Sequence, residues 1–223
     1  MDIGTIAALA ARAGSGVVLA AVESLRVVDG VGIQGDVHAN AFSPRQLLLA
    51  SQSAYEDLAL PPHALRENVL VDVDTAGLAS GTVLQIGSEV AIRLMFGCEA
   101  CGGLDVHRPG LARDIGARRG ILARVVSGGV IHRGDAIRVL DARLPPWPED
   151  WRARVALVLD AVPPGSTVEY KHLARLAGIQ SSYCRAFPRV LAKLGPAYAG
   201  KAVTSQSTST LPRWEGRGLF DLE

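Results

Sequence analysis

The sequence predicts a mainly β, barrel-like domain followed by a small α domain of the winged helix-turn-helix kind. Three observations predict it. Short β-branched runs separated by Gly-rich turns fill the chain as far as about Leu140. Leu144-Pro-Pro-Trp-Pro148 then places three prolines in five residues, which breaks regular structure and makes a stiff connection. Beyond it the apolar residues take helical spacing. The expected domains are residues 1–143 and 149–223, joined by a linker over 144–148.

In the first domain the runs expected to form strands are Gly16–Ala21, Arg45–Leu49, Asn68–Val73, Val83–Ile86, Glu89–Leu94, Ile121–Val126 and Ala136–Leu140. The pairs Gly35-Asp36, Gly128-Gly129 and Gly134-Asp135 punctuate them. Many short strands with such turns point to a barrel. Helices are expected over Ser51–Leu58 and Gly110–Gly116. In the second domain Val155, Leu159 and Val162 mark a helix over Trp151–Val162, with Glu149 and Asp150 suited to its N-terminus. Pro163-Pro-Gly165 stops it, and Thr167–Tyr170 is an extended link. A second helix runs over His172–Ala177 with Gly178 at its C′ position. Ser181 or Ser182 caps a third that reaches Leu194, with Pro188 inside it removing one backbone bond. Val203–Thr210, rich in Ser and Thr, reads as a surface wing or loop.

A chain of 223 residues, 48% apolar, is long enough for two modest cores. No apolar run approaches the roughly 20 residues of a spanning helix, so no membrane partner is expected. Met1–Ala11 carries Asp2 and no basic stretch, so it does not read as a signal peptide. The three cysteines form no disulfide framework, which suits a cytoplasmic protein with free thiols. From Glu149 onward ten Lys/Arg face seven Asp/Glu, leaving thirteen against fifteen before it. That asymmetry permits nucleic-acid binding without demanding it.

Cys98-Glu-Ala-Cys101 is the most reactive chemistry on offer. A thiolate is a nucleophile, and nearby cations lower its pKa. Arg108, Arg113, Arg118 and Arg119 follow in sequence and are candidates to supply that charge, while Gly102-Gly103 permits close approach of a ligand. The plainer reading is a pair of buried apolar cysteines. Structural zinc needs four ligands; one Cys pair with scattered His38, His63, His107 and His132 does not supply them, so no metal site is expected.

The order Gly35-Asp36-Val-His38, Arg45-Gln46, Arg66-Glu67-Asn68-Val69, Gly81, Ile86-Gly87, Cys98-Glu-Ala-Cys101-Gly, Arg119-Gly120, Gly128-Gly129 and Gly134-Asp135 resembles a MOSC domain, the C-terminal domain of molybdenum cofactor sulfurases, over about residues 17–141. The resemblance implies a β-barrel-like fold and sulfur transfer or molybdopterin binding at one cysteine, which by motif order is Cys101. Ala100 stands where the family often has proline. Cys98 is then a candidate to resolve a persulfide as a disulfide. Arg66 or Arg119 is a candidate to clamp a pterin phosphate by bidentate hydrogen bonds. Glu67 and Asn68 either orient a ligand or satisfy turn backbone groups, and His38 reads as a loop residue. The pyridoxal-phosphate desulfurase domain of larger family members has no room in this chain, so a separate sulfur-donor protein is the implied partner.

Trp151 to Glu223 resembles the C-terminal domain of alkylguanine-DNA alkyltransferases and alkyltransferase-like proteins, through Val162-Pro-Pro-Gly165, Thr167-Val-Glu-Tyr170 and Leu173-Ala-Arg-Leu-Ala-Gly178. The resemblance implies double-stranded DNA as a partner, with Tyr170 rotating a nucleotide and Arg185 intercalating; Arg189 is a further DNA-binding candidate, and if DNA binds, Lys193 and Lys201 are expected to contact phosphate. Tyr198-Ala199-Gly200-Lys201 stands where the family has Pro-Cys-His-Arg. Ala199 supplies no nucleophile, so no alkyl transfer is expected. The plainer readings are a core-edge aromatic for Tyr170, a solvated helix face for Arg185 and Arg189, and an ordinary surface charge for Lys201. Two functions follow: sulfur carriage or molybdopterin-dependent chemistry at a cysteine, directed to modified DNA bases, or non-catalytic recognition of DNA lesions.

Overall fold

The computed structural model describes residues 2–14 and 17–221. Gly16, where the first expected strand begins, lies outside the described residues, as do Met1, Leu222 and Glu223 at the ends of the expected domains. The chain divides into two compact units, one of residues 1–41 and 45–147, the other of residues 42–44 and 148–223.

The first unit runs β1 (Asp2–Ala11), β2 (Ala20–Val22), β3 (Ser24–Val28), β4 (Gly32–Ile33), β5 (Leu47–Ser51), α1 (Gln52–Leu58), β6 (Val69–Val71), β7 (Thr82–Ile86), β8 (Val90–Gly97), α2 (Leu111–Asp114), β9 (Ile121–Ser127), β10 (Gly129–His132) and β11 (Ala136–Arg143). Seven strands in the order β11-β7-β8-β9-β5-β6-β1 close into a barrel through β1–β11 pairing, with β2 attached to β1. Closure leaves the barrel no free edge. β5 and β6 run parallel, and β10-β3-β4 form a separate small sheet.

β1 makes closure possible by serving three partners in turn: β11 through Asp2–Thr5, β6 through Ile6–Leu9 and β2 through Leu9–Ala11. Register shifts at Asp2/Gly4 and Ile6/Ala8 bend it from one partner to the next. No strand is expected there from sequence, because DIGTIAALAA has four Ala and one Gly among its ten residues, and these have weak strand propensity. β3, β4 and β10 are likewise missing from the sequence-based expectation; β4 and β10 are short and begin with Gly.

β5 is Leu-Leu-Leu-Ala-Ser with every residue buried. Leu47 and Leu49 face the barrel core. Ala50 packs in a second apolar cluster with Ala54, Leu58, Leu104, Leu111 and Ile115. A strand covered on both faces carries an unbroken apolar run, which explains why β5 lacks alternation. Gly120 (φ 101°) sits where an added Cβ would lie 2.2 Å from the Leu49 carbonyl oxygen, so only glycine lets β9 start this close to β5.

The second unit runs α3 (Trp151–Ala161), β12 (Val168–Glu169), α4 (Tyr170–Leu176), a 3₁₀ segment over Ser181–Ala186, α5 (Phe187–Leu194) and β13 (Ala202–Val203). Asp150 caps α3 by accepting the N–H groups of Arg152 and Ala153. α4 ends as expected at Gly178 (φ 65°): Gly178 N–H donates to the Arg175 carbonyl and Ile179 N–H to the Ala174 carbonyl, the Schellman arrangement. Arg154, with no exposed surface, ties the same helix end to the start of α3 by donating to the carbonyls of Ala177, Pro148 and Glu149.

The expected third helix is two pieces. Its 3₁₀ part starts after Gln180 without a side-chain cap, so neither Ser181 nor Ser182 plays that role. Pro188 lies in the first turn of α5, where its missing N–H costs no helical bond; the expected interruption is instead a helix start. β12 pairs with β13 in parallel. The stretch Val203–Thr210, expected as a wing or loop, starts with Val203 in β13 and among the described residues carries no strand from 204 to 210.

Candidate functional site

The loop that leads from α1 into β6 is built under strain. Ala59, His63 and Arg66 adopt φ values of 50°, 61° and 54°, a left-handed conformation that costs a non-glycine residue about 1 kcal/mol or more. The Tyr55 hydroxyl, on α1, holds the far end of this loop. It donates to the Glu67 carboxylate at 2.5 Å and accepts the Leu65 N–H at 3.1 Å. Arg119 holds the same residue from the other side, donating to the Leu65 carbonyl at 2.7 Å. Glu67 is 3% exposed, and burial pushes its carboxyl above the usual carboxylate range, opposed by the Tyr55 hydrogen bond and by His63 and Arg119. Burial and the Glu67 charge push the Tyr55 hydroxyl far above its ordinary value, so it remains a donor. His63 Nδ1 stands 3.8 Å from Glu67.

Asn68 continues inward. Its side chain accepts the Leu48 N–H at 3.2 Å and donates to the Ala10 carbonyl at 3.2 Å and to Asp36 at 3.3 Å. Asp36 is buried and accepts the N–H groups of Arg12 at 2.8 Å and His38 at 2.9 Å. These bonds join the end of β1, the start of β6 and the 36–38 turn. Above them stands a cationic group. An Arg12 guanidinium nitrogen is 3.5 Å from His38 Nε2. Desolvation holds the His38 ring below its ordinary pKa, with Asp36 opposing and Arg12 and Arg45 reinforcing. Arg45 reaches the Cys98 Sγ at 4.0 Å.

Cys98 is buried where β8 ends, its N–H donating to the Gly120 carbonyl at 2.8 Å. Cys101 is exposed and free, and its carbonyl accepts the Leu104 N–H at the opening of the turn over Gly102–Val106. The cation beside the Cys-x-x-Cys segment is thus Arg45. Arg108 and Arg113 pair with Asp114 at 3.4 and 3.1 Å, Arg118 donates to the Asp114 carbonyl at 3.1 Å, and Arg119 turns to Leu65. Among the described residues no group of three His, Cys, Asp or Glu could hold a metal ion.

Of the four residues expected to bind a cofactor, Glu67, Asn68 and Arg119 are buried with partners inside the protein, and Arg66 is exposed. Nε of Arg119 and of Arg12 is buried without a hydrogen-bond partner. Tyr55, Arg12 and Asp36 carry no role in the sequence reading. Tyr55 sits in an ordinary helical pattern and Arg12 at the end of an unrecognised strand. The Gly35-Asp36 pair reads as a turn, which it is, and its carboxylate reaches inward as well.

In the second unit Tyr170 is half-buried, its ring edge-on to Phe187 at 5.3 Å, and its carbonyl lies 3.4 Å from Cys184 Sγ. Arg185 and Arg189 are exposed on either side of the junction between the 3₁₀ segment and α5. Lys201 donates to the Leu159 carbonyl at 2.9 Å, where an ammonium group suits the end of α3. Ala199 is exposed.

No helix is long and apolar enough to cross a membrane. Comparison with curated proteins gave no match. Three solved structures share the fold. YuaD from Bacillus subtilis is 21% identical with a TM-score of 0.54, over 61% of this chain and 94% of its own. A hypothetical protein is 16% identical with a TM-score of 0.52, over 87% of this chain and 92% of its own. YiiM from Geobacillus stearothermophilus is 15% identical with a TM-score of 0.51, over 84% of this chain and 99% of its own. The family model that matches residues 35–138 is that of the MOSC domain. The Asp36–Asn68 bridge, the Cys-x-x-Cys turn and strands β5 to β10 all fall within that match, so residues 35–138 of the first unit are the part of this chain that is similar to a MOSC domain.

Proposed function

We propose that the first unit works through the Cys101 thiol, in sulfur carriage or in molybdopterin-dependent chemistry. The observation that carries this reading is an exposed Cys101 three residues beyond a buried Cys98 whose sulfur lies 4.0 Å from Arg45. For sulfur carriage, the Cys101 sulfur attacks the outer sulfur of a persulfide on a donor protein, forming the Cys101 persulfide as the donor's S–S bond breaks and its cysteine leaves as thiolate. The Cys98 thiolate then attacks the Cys101 sulfur, the new Cys98–Cys101 bond forms, and the outer sulfur leaves as hydrosulfide. A dithiol reductant restores both thiols, and a cytoplasmic setting keeps them reduced.

The residues present also suit a pterin phosphate. The unpartnered buried Nε of Arg12 and the exposed Arg66 are donors of the type that grips phosphate by paired hydrogen bonds. Cys101 would hold a molybdenum centre, which when bound supplies two-electron transfer. Asp36 and Asn68 fix the backbone that carries Arg12 and His38. Glu67 and Arg119 serve the loop that carries Arg66.

A second reading makes the chain a lesion-binding protein that acts on no substrate. The exposed Arg185 and Arg189, with a half-buried Tyr170 in the same unit, favour it. In either reading the second unit presents DNA, a modified base in the first and a lesion in the second. Flipping a base from the stack would be needed before chemistry on it.

Native mass spectrometry of the protein, purified without oxygen from a host that makes molybdenum cofactor, separates these readings. An added sulfur lost in Cys101→Ser identifies a carrier, and a pterin or molybdenum mass identifies a cofactor-using enzyme. A bare polypeptide that binds lesion-bearing duplex, with affinity lost in Arg185→Ala, moves the assignment to lesion recognition.

A further inference from the structure

Arg66 is an exposed residue in a left-handed conformation, φ 54°. Among the described residues its guanidinium makes no hydrogen bond or ion pair. Glycine would fit that backbone with less strain, so a loop that served only to connect α1 to β6 gains nothing from arginine there. Strain of this kind persists where the surroundings over-determine it, and it concentrates at functional positions. Here both chain neighbours of Arg66 are fastened by one hydroxyl: Tyr55 accepts the Leu65 N–H at 3.1 Å and donates to the Glu67 carboxylate at 2.5 Å. Arg119 fastens the Leu65 carbonyl at 2.7 Å, and the Arg66 N–H closes on the His63 carbonyl at 2.9 Å.

We infer that Tyr55 is a positioning residue for Arg66, clamping Leu65 and Glu67 so that the Arg66 guanidinium is presented, pre-organised, to a phosphate-type oxyanion. The inference rests on the reading above in which Arg66 grips an anion. It adds that the grip depends on a hydroxyl that never touches the ligand. Pre-organisation raises affinity by removing an ordering cost at binding. Loss of the clamp therefore weakens anion binding even when the barrel is intact.

The test is titration of the full chain with inorganic phosphate, followed by phosphorus NMR, beside thermal unfolding of each variant. Arg66→Gln is expected to lose phosphate binding. Tyr55→Phe, which keeps the ring and removes the hydroxyl, is expected to weaken it about tenfold. In the Arg66→Gln background the same change alters unfolding only. Glu67→Gln keeps an acceptor for the hydroxyl and retains wild-type affinity, whereas Glu67→Leu weakens binding as Tyr55→Phe does and serves if that variant fails to fold. Arg66→Gly is expected to unfold at a higher temperature than wild type while losing phosphate. Wild-type phosphate affinity in Tyr55→Phe or Glu67→Leu, with loss in Arg66→Gln, overturns the positioning role alone. Wild-type affinity in Arg66→Gln overturns the anion reading and the positioning role together.

Discussion

Glu67 shows how one side chain carries both a structural debt and a functional opportunity. At 3% exposure its carboxyl is held above its ordinary value of 4.5 by burial, with Tyr55, His63 and Arg119 limiting the shift. A carboxyl whose pKa is raised on folding binds its proton more tightly in the native state. Its contribution to stability is present below the unfolded value and is lost as pH rises through the folded one. The stability of wild type relative to Glu67→Gln is therefore expected to fall as pH rises from about 4.5 towards neutrality, measured by urea unfolding at a series of pH values. Parallel pH profiles for the two proteins would remove Glu67 as the titrating group. The Arg66-Glu67-Asn68 segment is visible in the sequence as a candidate site, but its partition is not. Sequence offers no means of seeing that Glu67 answers to Tyr55, twelve positions back, or that Asn68 answers to Asp36.

At the scale of elements, backbone approach decides what local propensity leaves open. Gly120 and Gly134 both have positive φ, 101° and 87°, yet an added Cβ at Gly120 meets the Leu49 carbonyl at 2.2 Å while one at Gly134 meets nothing within 4 Å. Gly120→Ala is expected to destabilise by about 3 kcal/mol, combining conformational strain with a backbone clash, whereas Gly134→Ala costs about 1 kcal/mol from strain alone. Chemical denaturation of both variants checks this, and equal losses would show that the β5–β9 approach is relaxed. The same principle explains β1. Its Ala-rich sequence is weak as a strand, and pairing with three successive neighbours gives it that form. In the second unit local signals sufficed for α3 and for the Gly178 terminus of α4. They failed at Pro188, because the tight turns over Ser181–Ala186 move the helix start to Phe187.

Each of the two units buries apolar side chains of its own. Leu49 is fully buried in the barrel, and Leu159 is fully buried on α3 of the second unit. Leu49→Ala and Leu159→Ala are each expected to cost about 2–5 kcal/mol. Calorimetry of the full chain is expected to resolve two transitions, the first substitution lowering one and the second lowering the other. A single transition lowered equally by both would mean that the units unfold as one.

Sequence by itself determined the β-rich first part and the helical character of α3 and α4, because these depend on composition, on period and on residues adjacent in the chain. Tertiary structure alone decided that the barrel closes through β1, that Arg45 and not the arginines following Cys101 stands by Cys98, and that Tyr55 fastens the loop bearing Arg66. Each of these is a meeting of residues ten or more positions apart. Such a meeting is fixed by strand register and burial, which act only once the chain has closed on itself.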